Sequence, residues 1–262
     1  MSVGMVNIHT RDRLAVLERS LPKWVEVSKP ATIINLVVEP TEVKKHGDFL
    51  RAIGLKERIN VVRIPKPNMG MGNSRHVGFL HARAAGAESF ITTDDDLYPR
   101  EGPERLLKLA RRKNVFGVGA YLSIYKFFMH IDQGTGMQEA TSVGFRCWAM
   151  NTAKVDKIGG MPREFKGYDD HEVCRRGIAW LQLPWYVDTD TTIASIGKTG
   201  DAGGMSSLPG MNSMFNRKHT AHLLSKEKWP EYVNSTEGCE QRGTCNYRMN
   251  WKKLMRDNNV TI

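Results

Sequence analysis

The sequence predicts an α/β fold with a mostly parallel sheet that carries helices on both faces. Short apolar runs alternate in the N-terminal half with stretches of helical periodicity, which is typical of parallel strands joined by helices. One apolar run ends abruptly in Asp94-Asp95-Asp96. Because ligands of open α/β sheets bind outside the carboxyl ends of the strands, this run also indicates where a site lies.

The first predicted elements follow one another without long gaps. Leu14, Leu17 and Leu21 recur on one helical stripe, whereas the strand segments are short and mostly apolar. In order, the predictions are a strand at Met5–His9, a helix from about Arg13 to Val25, a strand at Ile33–Val38, a helix from about Thr41 to Ala52 and a strand at Asn60–Ile64.

A third helix is predicted between the last of these strands and the acidic run. Asn73 or Ser74 is the expected N-cap, and Gly86 suits the position that follows the last helical turn. This helix leads directly into the strand that ends at Asp94.

A glycine-rich turn precedes this helix. Gly70 and Gly72 let backbone N–H groups approach an anion at the helix N-terminus, and Arg75 in the first turn reaches the same anion. An ordinary flexible turn has the same composition, and the spacing matches neither a dinucleotide fingerprint nor a Walker loop. The turn therefore indicates a phosphate site only in combination with its neighbours.

The acidic run is the strongest indication of chemistry. Asp94 and Asp96 lie one residue apart at a strand end, so they point the same way and can share one hard divalent cation, with positions left for phosphate oxygens. The alternative is an acidic loop in which Asp95 or Asp96 caps a helix that starts near Pro103.

Polar residues also follow the first predicted strand. Thr10, Arg11 and Arg13 lie at the edge of the sheet where we expect a nucleotide. A solvated loop with charges at a helix start is the alternative interpretation.

A third motif begins at Ile158-Gly159-Gly160 and contains Asp169-Asp170-His-Glu172. The spacing of Asp169 and Glu172 has the form of a capping box, which predicts a helix that runs to about Leu181. A capping box needs Asp169 and Glu172 and gives no role to Asp170. A carboxylate beside a sugar-nucleotide pocket can take a proton from an acceptor hydroxyl, so Asp170 is the candidate general base.

In combination, these three motifs resemble the A-type nucleotide-sugar glycosyltransferases, with the GT-A fold and a family-2-like motif set, over roughly residues 5–190. The Arg75 helix is similar to the family segment aRN.G…A.G, the acidic run to D-x-D, and the third motif to iGGfd…ED.El..R. The chain departs from the pattern in two places, since Asp169 replaces the usual glutamate and His76 follows Arg75 where the family has asparagine.

The resemblance implies a Rossmann-like GT-A sheet and specific roles for its residues. Asp94 and Asp96 would frame a Mn²⁺ or Mg²⁺ site, with Asp94 and Asp95 beside the donor, and Asp170 would be the base of an inverting transfer. A C-terminal histidine completes the metal shell in many such enzymes. We prefer His219 to His222, because it directly follows Asn216-Arg217-Lys218, whose cations can hold the diphosphate.

The composition of the sequence predicts that the chain has two regions. Residues 1–190 are the predicted nucleotide-sugar-binding and catalytic core, and residues 191–262 a lid with a basic C-terminal extension. Thr191–Pro209 is rich in glycine, which is typical of a mobile lid, although a linker has a similar composition. The extension interleaves basic and aromatic residues, as nucleic-acid faces do, and as solvated charge around a small aromatic core also does.

Composition restricts the partners and the compartment. The net charge is +10, which favours a polyanion such as DNA, RNA or an anionic membrane surface. There is no apolar run of the roughly 20 residues that span a membrane, and no signal-peptide pattern. Four cysteines are too few for a disulfide-stabilised scaffold of this length, and Cys147 and Cys174 are predicted to be buried thiols. We expect a cytoplasmic protein, in the host cytoplasm if a virus, for example a phage, encodes it.

The predicted function is therefore metal-dependent transfer of a hexosyl or pentosyl group from a nucleoside-diphosphate sugar to a hydroxyl. We expect a UDP-sugar as donor, and hydroxylated bases in DNA as the leading acceptor, because such a substrate accounts for the basic charge. Two alternatives remain: a nucleotidyltransferase, and a non-catalytic nucleic-acid-binding module with a GT-A-like fold. The presence of Asp94, Asp96 and Asp170 argues against the second.

Overall fold

The computed structural model describes residues 4–66, 70–121, 136–140, 146–161, 173–174, 176–177 and 181–196. Within these ranges the helices are α1 (Leu14–Val27), α2 (Val43–Ala52), α3 (Gly70–Ala84), α4 (Glu104–Ala110) and α5 (Thr152–Lys157). The strands are β1 (Gly4–His9), β2 (Ile33–Val38), β3 (Ile59–Arg63), β4 (Ser89–Asp94), β5 (Leu97–Pro99), β6 (Gly117–Tyr121), β7 (Met137–Ala140), β8 (Cys147–Asn151) and β9 (Trp185–Ser195).

These strands pair in the order β3-β2-β1-β4-β8-β6-β9-β5. β7 lies outside this order and pairs antiparallel with the first residues of β9, from Trp185 to Asp188. The half from β3 to β4 is parallel, as predicted, and places His9 of β1 opposite Asp94 of β4. Beyond β4 the pairing changes, because β8 runs antiparallel to both β4 and β6. The α/β fold class is confirmed, and the antiparallel strands of the second half are an addition to it.

Helices cover both faces of the sheet, as predicted. Because strand residues alternate between faces, Val6 and Ile8 of β1 pack into one core with α1, α2 and α4. Met5 of the same strand packs into a second core with Phe79 of α3 and Val155 of α5. The polar residues of β1 that share the face of Met5 therefore point toward α3.

The end of α3 agrees with the prediction, and its start does not. Gly86 has a left-handed φ of +65°, and the N–H of Ala87 donates to the carbonyl of Ala82, which closes the helix after its last turn. The helix begins at Gly70, so Asn73 and Ser74 lie inside it and the predicted N-cap is wrong. The side chain of Ser74 contacts β1 instead of a helix-end N–H group.

Two other boundaries differ from expectation. The residue before α4 is Pro103 and makes no side-chain cap, so the alternative role of Asp95 or Asp96 as a cap for this helix is wrong. Residues Thr191–Ser195 belong to β9, so the division after residue 190 falls inside a strand. The predicted lid residues 197–209 lie outside the described residues.

Two sequence expectations concern thiols and membranes. Cys147 and Cys174 are buried thiols, as predicted. Among the described residues, no helix has the length and apolar character needed to cross a bilayer.

Candidate functional site

The acidic turn lies at the carboxyl end of β4, in the centre of the sheet. Asp94 is the last residue of β4, and the chain turns at Asp95 and Asp96 before β5 begins at Leu97. The side chains of Asp94 and Asp96 are 25% and 18% exposed, whereas that of Asp95 is 1% exposed. The outer two carboxylates are thus accessible at this edge, and the middle one is buried.

Asp95 is held by the loop between β1 and α1. Thr10 Oγ1 donates to Asp95 Oδ2 at 2.6 Å, and Arg13 Nε donates to the same oxygen at 3.0 Å. Arg13 Nη2 donates to the other oxygen, so the ion pair is bidentate. Thr10 and Arg13, predicted to touch a nucleotide, therefore bind Asp95 and anchor their loop to the acidic turn. Arg11 is exposed in the same loop.

Asp94 contacts the helix that follows the glycine-rich turn. Arg75 Nη2 donates to Asp94 Oδ1 at 3.3 Å, and the arginine is itself buried. Burial raises the pKa of Asp94 to about 6, opposed by the charge of Arg75 and reinforced by the neighbouring charge of Asp96. The structure thus brings together Arg75 and Asp94, which the sequence analysis assigned to one ligand.

The N-terminal turn of α3 lies at the same edge of the sheet. Gly70 has a φ of +82°, a conformation that favours glycine, and it begins the helix. Gly72 is buried two residues later. Because Arg75 in the next turn contacts Asp94, the first N–H groups of α3 belong to the same region as the acidic turn. Residues 67–69 lie outside the described residues.

His9 was missed by the sequence analysis. Its Nδ1 lies 2.9 Å from Ser74 Oγ, and its Nε2 lies 2.8 Å from Thr92 Oγ1, so one imidazole joins β1 to α3 and β4. Burial, followed by the charge of Arg75, lowers the pKa of His9 well below its ordinary value. A neutral imidazole therefore braces the first turns of α3 against the strands. The signal in the sequence was a histidine two residues after Asn7 in an otherwise apolar strand.

A chain of hydrogen-bonded asparagines crosses the parallel strands β3, β2 and β1. Asn60 Nδ2 donates to Asn35 Oδ1 at 3.3 Å, and Asn35 Nδ2 donates to Asn7 Oδ1 at 2.9 Å. Asn7 Nδ2 then donates to the carbonyl of Gly78 in α3 at 3.1 Å. A Cβ at Gly78 would lie 3.0 Å from Asn7 Cγ, so the glycine allows α3 to lie close to β1. This buried polar contact fixes α3, and with it Arg75.

Two backbone hydrogen bonds join Arg146 and Ile196 to the acidic turn. The N–H of Asp94 donates to the carbonyl of Arg146 at 3.1 Å, and the N–H of Ile196 donates to the carbonyl of Asp96 at 2.8 Å. Arg146 and Ile196 are therefore held at the acidic turn by their backbones.

The remaining predicted site residues are not described. Asp170, Lys218 and His219 lie outside the described residues, as do Asp169 and Glu172. In the part of the chain that is described, no three His, Cys, Asp or Glu side chains group closely enough to hold a metal ion. The described metal-binding candidates are therefore the carboxylates of Asp94 and Asp96.

No protein-family model matches the sequence, and no curated protein matches it either. Solved structures do match the fold. GalNAc-T7 with UDP, GalNAc and Mn²⁺ is 12% identical, with a TM-score of 0.67, over 100% of this chain and 55% of that protein. The mannosyltransferase PcManGT from Pyrobaculum calidifontis, with GDP-Man and Mn²⁺, is 14% identical, with a TM-score of 0.59, over 75% of this chain and 58% of that one.

A third match is TarS from S. aureus, which is 14% identical with a TM-score of 0.52 over 74% of this chain and 36% of that protein. The chain thus spans little more than half the length of the first two matched proteins, and about a third of TarS. At these identities the likeness concerns the fold. The fold is that of the GT-A glycosyltransferases, as the sequence analysis predicted.

Proposed function

We propose that this protein is a metal-dependent glycosyltransferase that moves a sugar from a nucleoside-diphosphate sugar to a hydroxyl acceptor. The observation that carries the proposal is the accessible pair Asp94 and Asp96 on a GT-A fold, beside Arg75 and the glycine start of α3. Proteins of similar fold bind UDP in one case and GDP-mannose in another, both with Mn²⁺. We expect a UDP-sugar as the donor.

The residues present fit a divalent cation. Asp94 and Asp96 provide carboxylate oxygens, the ligands that Mg²⁺ and Mn²⁺ prefer. The charge of Asp96 raises the pKa of Asp94, so the two carboxylates lie close enough to repel each other, and a shared cation would relieve that repulsion. When bound, Mn²⁺ or Mg²⁺ would offset the negative charge that develops on the departing diphosphate. His219 is proposed as a further ligand.

The roles of the other residues follow from their positions. Backbone N–H groups at Gly70 and Gly72, with the guanidinium of Arg75, would bind diphosphate oxygens at the start of α3. Lys218 is proposed as a second cation for this leaving group. Arg11, which is exposed in the loop after β1, is proposed to contact the nucleotide together with Thr10 and Arg13, which anchor that loop to Asp95.

Asp170 is proposed as the general base of an inverting transfer. It would accept the proton of the acceptor hydroxyl as the acceptor oxygen bonds to the anomeric carbon, while the bond from that carbon to the diphosphate oxygen breaks. The glycine-rich residues after Ile196 are proposed as a lid that excludes water. The bond from the N–H of Ile196 to the carbonyl of Asp96 supports this role, because Ile196 is the residue that comes before the glycine-rich residues in the sequence.

The proposed acceptor is a hydroxylated base in DNA. The net charge of +10 supports a polyanionic partner, and a modified base supplies the hydroxyl. Bases are stacked in a duplex, so the enzyme would need to extrude its target or widen a groove to reach it.

Thermal unfolding with a panel of nucleotide sugars tests the donor site. A ligand that binds the folded state raises its apparent stability by mass action, so a UDP-sugar with Mn²⁺ should raise Tm more than either alone. GDP- and TDP-sugars are the comparison, and the Asp96→Asn variant is the control for the metal. If no nucleotide sugar changed the Tm of the wild-type protein with Mn²⁺ or Mg²⁺, the proposed function would be wrong.

A further inference from the structure

His76 contacts a glycine turn on a different part of the chain from Arg75, its neighbour in α3. The Nδ1 of His76 lies 2.9 Å from the carbonyl oxygen of Met161. A carbonyl oxygen only accepts hydrogen bonds, so Nδ1 carries the proton and donates. Consecutive side chains of one helix therefore bind two elements, Arg75 the acidic turn and His76 the turn after α5.

The turn that His76 contacts has a backbone that only glycine adopts readily. Gly159 and Gly160 both have a φ of +83°, in the left-handed region. The N–H of Gly160 donates to the carbonyl of Val155 at 2.9 Å, so the turn also ends α5. Met161, which leaves the turn, is buried. The direction in which the chain leaves α5 is thus fixed by hydrogen bonds on both sides of the turn.

The imidazole also packs directly on the turn. A Cβ at Gly160 would lie 2.9 Å from Cε1 of His76, whereas a Cβ at Gly159 would have no heavy atom within 4 Å. The two glycines therefore have the same φ, and they differ in that a Cβ at Gly160 would press on His76 and, at 3.2 Å, on Cε1 of Phe79. This difference provides a matched pair for an experiment.

The same turn receives a second anchor from further along the chain. The buried Arg176 donates from Nη1 to the carbonyl of Ile158 at 3.4 Å. Met161 precedes the segment that contains Asp170, and Arg176 follows it. Both described ends of that segment are therefore bonded at the turn between Ile158 and Met161.

We infer that His76 is a positioning residue, which ties the helix of the donor site to the glycine turn from which the segment with Asp170 extends. This inference rests on the proposed function. His76 acts through Met161 and Gly160, and its loss would leave Arg75 and Asp94 in place. Donor binding and turnover are therefore expected to respond differently, whereas general damage to the fold would reduce both.

Four single variants test the inference: His76→Leu, His76→Asn, Gly160→Ala and Gly159→Ala. His76→Leu removes the donor to Met161. Gly160→Ala presses on the imidazole and on Phe79, whereas Gly159→Ala places an alanine at the same left-handed φ without those contacts. His76→Asn restores an N–H donor at the position of Nδ1. His81→Leu, at an exposed position of α3, is the control for the helix.

Hydrogen exchange followed by mass spectrometry gives a readout that does not depend on activity. We expect His76→Leu and Gly160→Ala to speed exchange in peptides that cover residues 155–177, with β1 and β4 unchanged. Gly159→Ala and His81→Leu should have much smaller effects on these peptides, and His76→Asn should be close to wild type. Equal exchange in His76→Leu and wild type would overturn the inference. If His76→Leu does not fold, the comparison of the two glycine variants decides.

Transfer kinetics test the catalytic consequence. Misplacement of a catalytic group by about 1 Å can reduce turnover by about 100-fold, so we expect His76→Leu and Gly160→Ala to lower kcat at least about tenfold. The Kd for UDP with Mn²⁺ should stay within about twofold of wild type, and His76→Asn should recover most of kcat. Unchanged kcat in both variants of an active enzyme would overturn the inference. Absence of binding of UDP, GDP and TDP alike to the wild-type protein would instead contradict the proposed function.

Discussion

Arg13 and Asp95 form a bidentate ion pair that joins the loop after β1 to the middle of the acidic turn. Asp95 is buried, and Thr10 donates a third hydrogen bond to it. The neighbouring carboxylates are accessible at the edge of the sheet. The three acids therefore divide into a structural one in the middle and a candidate metal-binding pair on either side.

Loss of Asp95 should reduce stability. The Asp95→Ala variant would leave Arg13 without its buried partner, and removal of one member of a buried pair costs about 3 kcal/mol in the free energy of unfolding. Urea unfolding followed by circular dichroism measures the change. Asp48→Ala is the control, because Asp48 forms an exposed pair with Arg51 on α2. Equal stability of the two variants would contradict the structural role of Asp95.

Loss of Asp96 should affect chemistry and leave the fold intact. Asp96→Asn removes one anionic oxygen ligand from a hard cation, so transfer should be nearly abolished while the unfolding curve changes little. Activity is measured as a function of Mn²⁺ concentration, and Asp48→Asn should match wild type. Full activity with unchanged metal dependence in Asp96→Asn would remove this residue from the metal site.

Metal affinity should depend on pH through Asp94. Its pKa is raised to about 6, and a protonated carboxyl is a poor ligand, so Mn²⁺ binding should be constant above about pH 7 and weaken below about pH 6. The raised pKa means that the folded, metal-free protein binds this proton more tightly than the unfolded chain. Asp94 alone therefore makes the metal-free fold more stable as the pH falls from about 6 toward 3.8, the ordinary pKa of an aspartate.

Electron paramagnetic resonance of free Mn²⁺ measures that affinity between about pH 5 and pH 8. Circular dichroism at each pH establishes that the protein remains folded. An affinity that stayed constant down to pH 5 would contradict a role for Asp94 as a ligand.

The order of the early elements was predictable because it depends on local pattern. Short, mostly apolar runs give β1 and β2, and Gly86 ends α3 in the left-handed conformation that was expected. The acids at the end of β4 were located in the same way, because the apolar run stops at Asp94. Each of these features is determined by residues that are close to one another in the sequence.

The mixed half of the sheet beyond β4 was harder to predict, because tertiary packing overrides local preference there. β6 contains Gly117 and Gly119, which usually weaken a strand. A Cβ at Gly117 would lie 2.3 Å from the indole of Trp185, and one at Gly119 would lie 2.8 Å from that of Trp148. These glycines thus leave room for two buried tryptophans from other strands. Such partners are not visible from local sequence.

At the site, too, some features follow from the local sequence and others depend on tertiary contacts. Asp94 and Asp96 were identified from their spacing, but the pairing of Asp95 with Arg13 requires the loop after β1 to meet the turn after β4. His9 was missed for the same reason, because its partners Ser74 and Thr92 lie on α3 and β4. Motif reasoning finds the residues that bind a ligand more readily than those that hold them in place.

Replacement of Asp170 should lower turnover without loss of donor binding. Asp170→Asn removes a proton acceptor of similar size, and loss of a positioned acid–base group reduces the rate by roughly two to four decades. Turnover is measured at saturating donor, and UDP binding by calorimetry. Asp169→Asn is the matched neighbour and should have a smaller effect on turnover. Equal losses of donor affinity and turnover would make Asp170 a binding or structural residue.

A DNA acceptor makes a prediction about binding and salt. Lysine and arginine side chains that contact phosphates release condensed counterions, so the logarithm of the binding constant should fall linearly with the logarithm of salt, by roughly 0.9 per phosphate contacted. Fluorescence anisotropy with a labelled duplex measures this slope. A basic surface can bind DNA without modifying it, so a steep slope is a requirement for the proposal and does not establish it.

Sugar transfer to modified DNA is the decisive prediction. Enzyme, Mn²⁺ and a mixture of nucleotide sugars are incubated with a duplex that contains 5-hydroxymethylpyrimidines, and the digested nucleosides are examined by mass spectrometry for an added sugar. The same duplex with unmodified bases is the control, because it binds through its phosphates and lacks the acceptor hydroxyl. We expect an added sugar only in the hydroxymethylated duplex, and its loss in Asp96→Asn. If every donor that binds failed to modify this DNA while a protein or small molecule accepted the sugar, the acceptor would be reassigned and the glycosyltransferase proposal would stand.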